Sequence, residues 1–251
     1  MIDTRPRLIP GILALIAALL AGCGTTPAPA APTDGLPAAT ATTPAPTSTA
    51  PEPAPTSGNP FVALLGPVTA PPGWTVQPCE GQGPFLGVST GDEFPGSVEL
   101  LHSPIEQRED VWQWMVEAGL EPGQPLDLDD PEQVRRAREV LHALRDDHMG
   151  VVEEDRGLTY PEGRSFVLLE PEEVQVGRLP GLYYGFAGVE EDGQTYERWL
   201  TYAALDGQNL YILTAFYDPG DTPGSLPSDE ALLTLAPYLR DIVAGLRLPE
   251  G

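Results

Sequence analysis

Basic side chains are scarce in this 251-residue chain, and lysine is absent altogether. The 13 basic residues are all arginines, against 37 acidic residues, so the formal net charge is −24 at pH 7. Such a charge repels the phosphates of nucleic acids and of anionic lipids, and we therefore predict no nucleic-acid binding. A solvated acidic surface is the usual meaning of this composition, with cation attraction and a basic partner as alternatives.

Apolar residues near the start form a run too short to cross a membrane. Residues 8–20 are apolar except for Pro10 and Gly11. At about 1.5 Å per residue they cover about 20 Å, less than the roughly 30 Å hydrocarbon core of a bilayer. Because Arg5 and Arg7 precede the run, it is typical of a signal-peptide core, and we assign residues 1–22 to a signal peptide.

Cysteine is almost absent, and one of the two cysteines directly follows this run, in Leu20-Ala21-Gly22-Cys23. This stretch resembles the lipobox of bacterial lipoproteins, in which the cysteine thiol receives diacylglycerol and becomes residue one after cleavage. The resemblance implies cleavage between Gly22 and Cys23, lipid attachment at Cys23 and an extracytoplasmic location, with the choice of membrane left open. Two or three acyl chains give stable anchoring. The alternatives are a secreted protein cleaved after Ala21 or Gly22, and an uncleaved anchor.

The second cysteine, Cys79, has no Cys-x-x-Cys spacing, adjacent histidine or basic neighbour that would favour a reactive thiolate. If Cys23 carries lipid, Cys79 has no cysteine left to pair with inside the chain. We therefore expect a small buried apolar side chain at Cys79, with a disulfide between two copies or a reactive thiol as alternatives.

Residues 23–60 are rich in Pro, Ala, Thr and Ser and nearly free of bulky apolar side chains. Such a segment cannot offset its ordering entropy by burial, so we predict a disordered linker. Fully extended, it would reach on the order of 100 Å. Residues 61–251 then form a single domain.

The clearest structural pattern of this domain is a meander of three strands at about 182–189, 195–204 and 209–216. Asp192-Gly193 and Asp206-Gly207 join these strands, and Asp-Gly supplies the positive φ that tight hairpins require. Strand alternation predicts that Tyr196, Arg198 and Leu200 lie on one face and Trp199 and Ala203 on the other. Further strands are predicted at 73–77, 84–89, 97–101 and 164–169.

Three helices are predicted between and after the strands. Ser103-Pro104-Ile105-Glu106 fits a capping box for a first helix that ends at Gly119. Asp130 begins a second helix that ends before Gly150, and Ser228 begins a third, in which Pro237 should cause a kink or a break. The apolar positions of the first helix are Val111, Trp112, Met115 and Ala118. Those of the second are Val134, Ala137, Leu141 and Leu144. Those of the third are Leu232, Leu235, Leu239, Ile242, Val243 and Leu246.

This order of elements predicts an α+β fold, an antiparallel sheet with helices on both faces in an α/β/α sandwich. The stretches "PPGWTV", "LYILTAFY" and "YLRDIVAGLRLP" resemble the PsbP-like fold. That fold occurs in the extrinsic photosystem II protein, a Ran-binding nuclear import factor and many bacterial lipoproteins. The resemblance implies a binding or assembly role, and the family has no shared catalytic residues to transfer. The family pattern does not lead us to expect the second predicted helix between these strands.

Motifs for catalysis or metal binding are weak. Ser89 lies in "GVSTG", but a nucleophile elbow requires a following helix, and a strand is predicted there instead. His142 and His148 lack zinc spacing and are expected to be surface or hydrogen-bonded residues. Asp130, in "LDLDD", is better explained as a helix N-cap than as a calcium ligand. The acidic loop with Asp218, Asp221, Asp229 and Glu230 is expected to be a solvated loop, with weak cation binding as the alternative.

Aromatic residues crowd the predicted sheet, and core packing is their usual role. If one face of the sheet is uncovered, it would form a ligand or partner groove. The residues considered for such a face are Trp74, Tyr183, Tyr184, Trp199 and Tyr202.

The sequence therefore predicts a lipid-anchored, extracytoplasmic, non-catalytic protein without a cofactor or bound metal, which binds or helps assemble a protein partner of the cell envelope. A receptor lipoprotein for a small molecule or a cation is the first alternative. A hydrolase with an unrecognised active site is the second.

Overall fold

The computed structural model describes residues 59–81, 84–90, 93–220 and 222–249. The predicted signal peptide, Cys23 and the linker up to residue 58 lie outside the described residues. Asp221 of the acidic loop does so as well.

Eight strands in the described part of the chain form one antiparallel sheet. Their bounds are β1 (Trp74–Pro78), β2 (Leu86–Thr90), β3 (Glu93–Pro104), β4 (Ser165–Leu168), β5 (Glu172–Val176), β6 (Leu179–Val189), β7 (Thr195–Leu205) and β8 (Asn209–Tyr217). The strand order is β1-β2-β3-β8-β7-β6-β4, and β5 also pairs with β6. The meander and the four upstream strands are thus confirmed, and β5 was not predicted.

Local turn chemistry explains the β7–β8 hairpin. Gly207 has φ of 95°, which glycine adopts without steric cost. Asp206 is buried, and its Oδ1 accepts hydrogen bonds from the backbone N–H groups of Gln208 (2.7 Å) and Asn209 (2.6 Å). The Tyr211 hydroxyl donates to Asp206 Oδ2 at 2.9 Å. This aspartate is therefore a structural part of the turn.

Three α-helices are described: α1 (Glu109–Glu117), α2 (Pro131–Thr159) and α3 (Asp229–Ala244). Two short 3-10 helices cover Pro60–Leu64 and Ile105–Gln107. Helix α2 packs on β4, β6 and β7 with α1 beside it, whereas α3 packs on β5, β7 and β8. No helix in the described residues is both long and apolar enough to span a bilayer.

Two hydrophobic cores result, one on each face of the sheet. Leu200 and Leu213 pack with Leu235 and Leu239 of α3. On the opposite face, Ala203 belongs to the core formed with α1 and α2. Each fully buried leucine contributes about 2 kcal/mol of transfer free energy to these cores. The predicted α+β class, with helices on both faces of an antiparallel sheet, is confirmed.

The predicted start of the first helix is wrong. Ser103 and Pro104 are the last residues of β3 and pair with Leu210 and Asn209 of β8. Ladder hydrogen bonds to β8 replace the local capping box, and α1 begins at Glu109 without a side-chain cap. The predicted end at Gly119 is confirmed, since this glycine has φ of 76°.

The apolar positions of this helix were also predicted only in part. Val111 and Met115 are fully buried, as predicted for its inner face. Trp112 was assigned to the same face but is exposed, because it points away from the core formed with α2.

The second helix begins as predicted, because Asp130 Oδ1 accepts from the N–H of Glu132 at 2.9 Å. It does not end before Gly150 but continues to Thr159. A mid-helix glycine costs only about 1 kcal/mol, and burial of Met149 on the same turn offsets that cost.

The third helix also begins as predicted, with the Ser228 hydroxyl accepting from the N–H of Ala231. Pro237 does not divide it, since buried residues on both sides hold α3 as one helix.

Candidate functional site

The five aromatic residues considered for a binding face do not share one face. Tyr183 and Tyr202 pair across β6 and β7 with ring centroids 5.0 Å apart, on the α3 side. Trp74 packs against the same core. Tyr184 and Trp199 lie on the opposite face with α1 and α2. Burial raises the pKa of Tyr183, Tyr184 and Tyr202, as expected for phenols held in the core.

Tyr184 is fully buried and has a polar partner in His148 of α2. The Tyr184 hydroxyl lies 3.1 Å from His148 Nδ1. Burial and the nearby positive charge of Arg108 lower the pKa of His148. The prediction of a hydrogen-bonded histidine is therefore confirmed at this position.

Trp199 belongs to a row of aromatic rings that crosses four neighbouring strands. Phe216 stacks on Trp199 with centroids 4.3 Å apart, and Trp199 lies 6.1 Å from Phe186. Phe166 of β4 continues the row, 5.1 Å from Phe186. Phe216 and Phe186 are buried, whereas Trp199 remains half-buried. The row thus presents Trp199 to solvent on a rigid base.

A buried carboxylate fixes the orientation of the Trp199 indole. Trp199 Nε1 donates to Glu197 at 3.1 Å. Arg156 donates two further hydrogen bonds to Glu197, at 2.8 and 3.0 Å, and the Tyr160 hydroxyl donates one at 2.5 Å. Gly188 on the paired strand leaves room for Tyr160, because a Cβ there would overlap the tyrosine ring. The carboxylate thereby ties the end of α2 to β7.

The electrostatics of this cluster follow from its partial burial. Desolvation and hydrogen bonding to Glu197 both raise the pKa of Tyr160. Burial alone would lower the pKa of Arg156, but hydrogen bonds and attraction to Glu197 outweigh it and raise that pKa. Tyr160 and Arg156 therefore stay protonated at neutral pH. Each oxygen of the Glu197 carboxylate accepts one hydrogen bond from charged Arg156 and one from a neutral donor, Tyr160 or Trp199.

Beside Trp199, the sheet has half-exposed side chains on the side of α1 and α2. They lie on β3, β8 and β7, at the margin of the core under these helices. We call this surface the open strip, and its residues are Glu99, Leu101, Ile212, Thr214 and Trp199. Glu99 pairs with Thr214, and Leu101 pairs with Ile212. Their strand neighbours Leu100 and Leu213 point to the other face and are buried.

Glu99 is the charged residue of the open strip. The hydroxyl of buried Ser97 donates to Glu99 Oε1 at 2.7 Å. Among the described residues no arginine or histidine forms an ion pair with Glu99. Burial raises its pKa, and the hydrogen bond from Ser97 offsets only part of this effect.

A loop closes one end of the open strip at Gly224. A Cβ there would lie 3.2 Å from Glu99 Oε1 and 3.8 Å from Phe216 Cζ, so both groups converge on this glycine. The N–H of Ser97 donates to the carbonyl of Gly224 at 2.9 Å, which holds the loop in place. The Glu99 carboxylate and the Phe216 ring therefore lie close together.

The remaining sequence motifs are placed apart from this surface. Ser89 lies within β2 and pairs with Thr75 of β1. This position agrees with its interpretation as a strand residue. In the acidic loop, Asp218 accepts from the Thr222 hydroxyl, and Asp229 forms an ion pair with Arg198 at 2.6 Å. The described residues contain no group of three or more His, Cys, Asp or Glu side chains placed to hold a metal ion.

Cys79 is 5% exposed, so its predicted burial is confirmed. Its sulfur is not a free thiol, because Cys79 is disulfide-bonded. The expectation of an unpaired buried cysteine is therefore wrong. The one other cysteine of the chain, Cys23, lies outside the described residues.

Two surface features were not predicted from the sequence. Trp112 and Val116 of α1 are 41% and 54% exposed, although helical periodicity assigned Trp112 to the core. Glu99 and the open strip were also missed. A carboxylate that alternates with Val98 and Leu100 was the available signal, because it marks a strand with one face outside the core.

The class defined by this geometry is an α/β/α sandwich with an antiparallel sheet, part of whose face is open. No protein-family model matches the sequence, and no curated protein does so. The structure is similar to the solution structure of cyanobacterial PsbP (CyanoP) from Synechocystis sp. PCC 6803, with 11% sequence identity and a TM-score of 0.36. The similarity covers 76% of this chain and 96% of that chain.

Proposed function

We propose that this chain is a lipid-anchored, extracytoplasmic, non-catalytic protein that holds a protein partner of the cell envelope on its open strip. The observation that carries the proposal is the partial exposure of Leu101 and Ile212 at one end of the open strip and of Trp199 at the other, on a rigid sheet. Rigid aromatic side chains such as tryptophan are frequent energetic centres of protein interfaces, because they lose little entropy on binding.

The polar clusters on the sheet support binding rather than catalysis. Glu197 accepts four hydrogen bonds, and Asp206 accepts hydrogen bonds from backbone and side-chain donors. A general base needs an acceptor oxygen that can reach a substrate proton. Both carboxylates instead hold elements of the fold together.

The anchoring part of the proposal rests on the lipobox-like stretch before Cys23 and on the linker of residues 23–60. An extended linker would allow the domain to reach a partner well away from the membrane surface. Intact mass of the mature protein tests it: acylation adds the mass of the lipid, whereas a disulfide with Cys79 leaves the protein lipid-free. Cys23→Ser should move the protein from the membrane to the soluble fraction, and unchanged membrane association would contradict the anchor.

Site-specific photo-crosslinking in the native host tests the partner-binding part. A photoreactive amino acid replaces Thr214 in the full-length protein, and the matched control carries it at exposed Leu233 of α3, on the opposite face. We expect one reproducible envelope protein to be linked from position 214 and not from 233. Equal products at both positions, or none at position 214, would count against the open strip.

A second candidate function is binding of a small molecule in a groove of about 330 Å³ at the end of α2. The favouring observation is its lining by Arg156, Arg164, Tyr160 and Phe166, with the Arg164 guanidinium over the Tyr160 ring at 5.3 Å. The aromatic rings suit an aromatic compound, whereas the two arginines already pair with Glu197 and Glu190. A thermal-shift screen of metabolites and metal ions tests it, with unchanged melting curves as the contrary result.

A further inference from the structure

Glu99 has an environment that a buried structural carboxylate would not have. Glu197 accepts four hydrogen bonds on the same face of the sheet, whereas Glu99 accepts one described side-chain hydrogen bond, from Ser97. Its neighbours on the open strip are Thr214, Leu101 and Ile212. A carboxylate that is half-buried among such side chains lacks a cationic partner within the described chain, although pairing would offset its desolvation.

Aromatic rings lie on one side of this carboxylate. Glu99 Oε1 and Phe216 Cζ converge on Gly224, and Trp199 stacks on Phe216. Trp199 is held by its hydrogen bond to Glu197 and cannot turn freely. Phe216 therefore lies between Glu99 and the indole, so the group that attracts positive charge at this end of the open strip is the Glu99 carboxylate, which suits a guanidinium or ammonium group.

The alternatives to a cationic side chain are less favourable. One carboxylate with a hydroxyl does not supply the six to eight oxygen ligands that calcium takes. An anionic lipid surface would be repelled by the net charge of −24. The same net charge favours the approach of a basic protein segment.

The geometry points to the open strip as a recognition site for an arginine or lysine side chain flanked by apolar residues, with Glu99 as the residue that determines specificity. In this arrangement the cationic group pairs with Glu99, and its apolar neighbours cover Leu101 and Ile212. The inference rests on the proposed function, since it specifies the chemistry of the partner that the strip would hold.

Peptide selection tests the inference without knowledge of the partner. The full-length protein, purified in detergent, is used to select from a displayed library of random peptides. We expect selected peptides to contain arginine or lysine between apolar residues. A selection that yields no binders, or binders without this pattern, would overturn the inference.

Selected peptides are then measured against two variants and one chemical analogue. Glu99→Gln should weaken binding tenfold or more, whereas Glu117→Gln, at an exposed position of α1, should leave it unchanged. Replacing the peptide arginine by neutral citrulline should weaken binding to the wild type but not to Glu99→Gln. Equal binding by wild type and Glu99→Gln, with both variants melting as folded proteins, would overturn the role of Glu99.

The outcomes separate this inference from the proposed function. A partner crosslinked from position 214 together with binding that does not depend on Glu99 would preserve the proposed function and refute the charge specificity. Failure of crosslinking at position 214 would refute the proposed function. In that case Glu99-dependent peptides would still identify a cation-selective surface.

Discussion

The Glu197 cluster offers the most direct test of the structural argument. Glu197→Gln keeps the shape of the side chain but leaves Arg156 charged and largely buried, with its side chain 22% exposed. Removing one partner of a buried ion pair costs about 3–5 kcal/mol, and because Arg156 is partly exposed and keeps its ion pair with Asp155, we expect a loss at the lower limit, about 3 kcal/mol. For a domain of this size, that loss lowers Tm by about 6–12 °C.

Thermal unfolding followed by circular dichroism at pH 7 measures this loss. The matched control is Glu139→Gln, which breaks an exposed ion pair with Arg135 on α2 and should leave Tm unchanged. Arg156→Met combined with Glu197→Gln should lose less than the sum of the single variants, because neither charge is then left unpaired. A decrease in Tm below about 2 °C for Glu197→Gln would refute the reasoning.

Three further predictions concern pH and packing. Burial raises the pKa of Glu99, so the ionised carboxylate destabilises the wild-type protein. Glu99→Gln should therefore raise Tm at pH 7. This difference in Tm between variant and wild type should vanish as the pH falls through the raised pKa to below 4.5. Burial lowers the pKa of His148, so stability should fall as the pH decreases below 6.5, and His148→Gln should remove this dependence in urea titrations at pH 5 to 7. Met115→Ala should cost about 2–5 kcal/mol in urea unfolding and exposed Trp112→Ala about 1 kcal/mol or less; the reverse order would contradict the placement of α1.

The open strip could be predicted only in part. Alternation correctly placed Leu200 and Trp199 on opposite faces, because successive side chains of a strand point in opposite directions. It did not reveal that Tyr184 is covered by α2 while Ile212 is half-exposed, although both lie on the same face. That difference depends on where α1 and α2 lie across the sheet, and strand patterns contain no information about it.

Local signals were overridden where longer-range contacts were stronger. Ser103 does not cap a helix, because it belongs to the hydrogen-bond ladder between β3 and β8, whose paired residues are about a hundred positions apart in the sequence. Gly150 failed to end α2 because burial of Met149 and the links from Arg156 and Tyr160 to Glu197 hold the later turns. In both cases, contacts between distant segments outweigh a local preference of about 1 kcal/mol.

Features with local causes could be predicted from the sequence alone. The Asp-Gly hairpin turns, the N-caps at Asp130 and Ser228 and the alternation along the meander all depend on residues within a few positions of one another. The sequence did not predict the length of α2, the buried hydrogen bonds of Glu197 or the partial exposure of Glu99 beside Phe216. These depend on how helices and strands from distant parts of the chain pack, since burial and ion pairing are properties of the assembled layers.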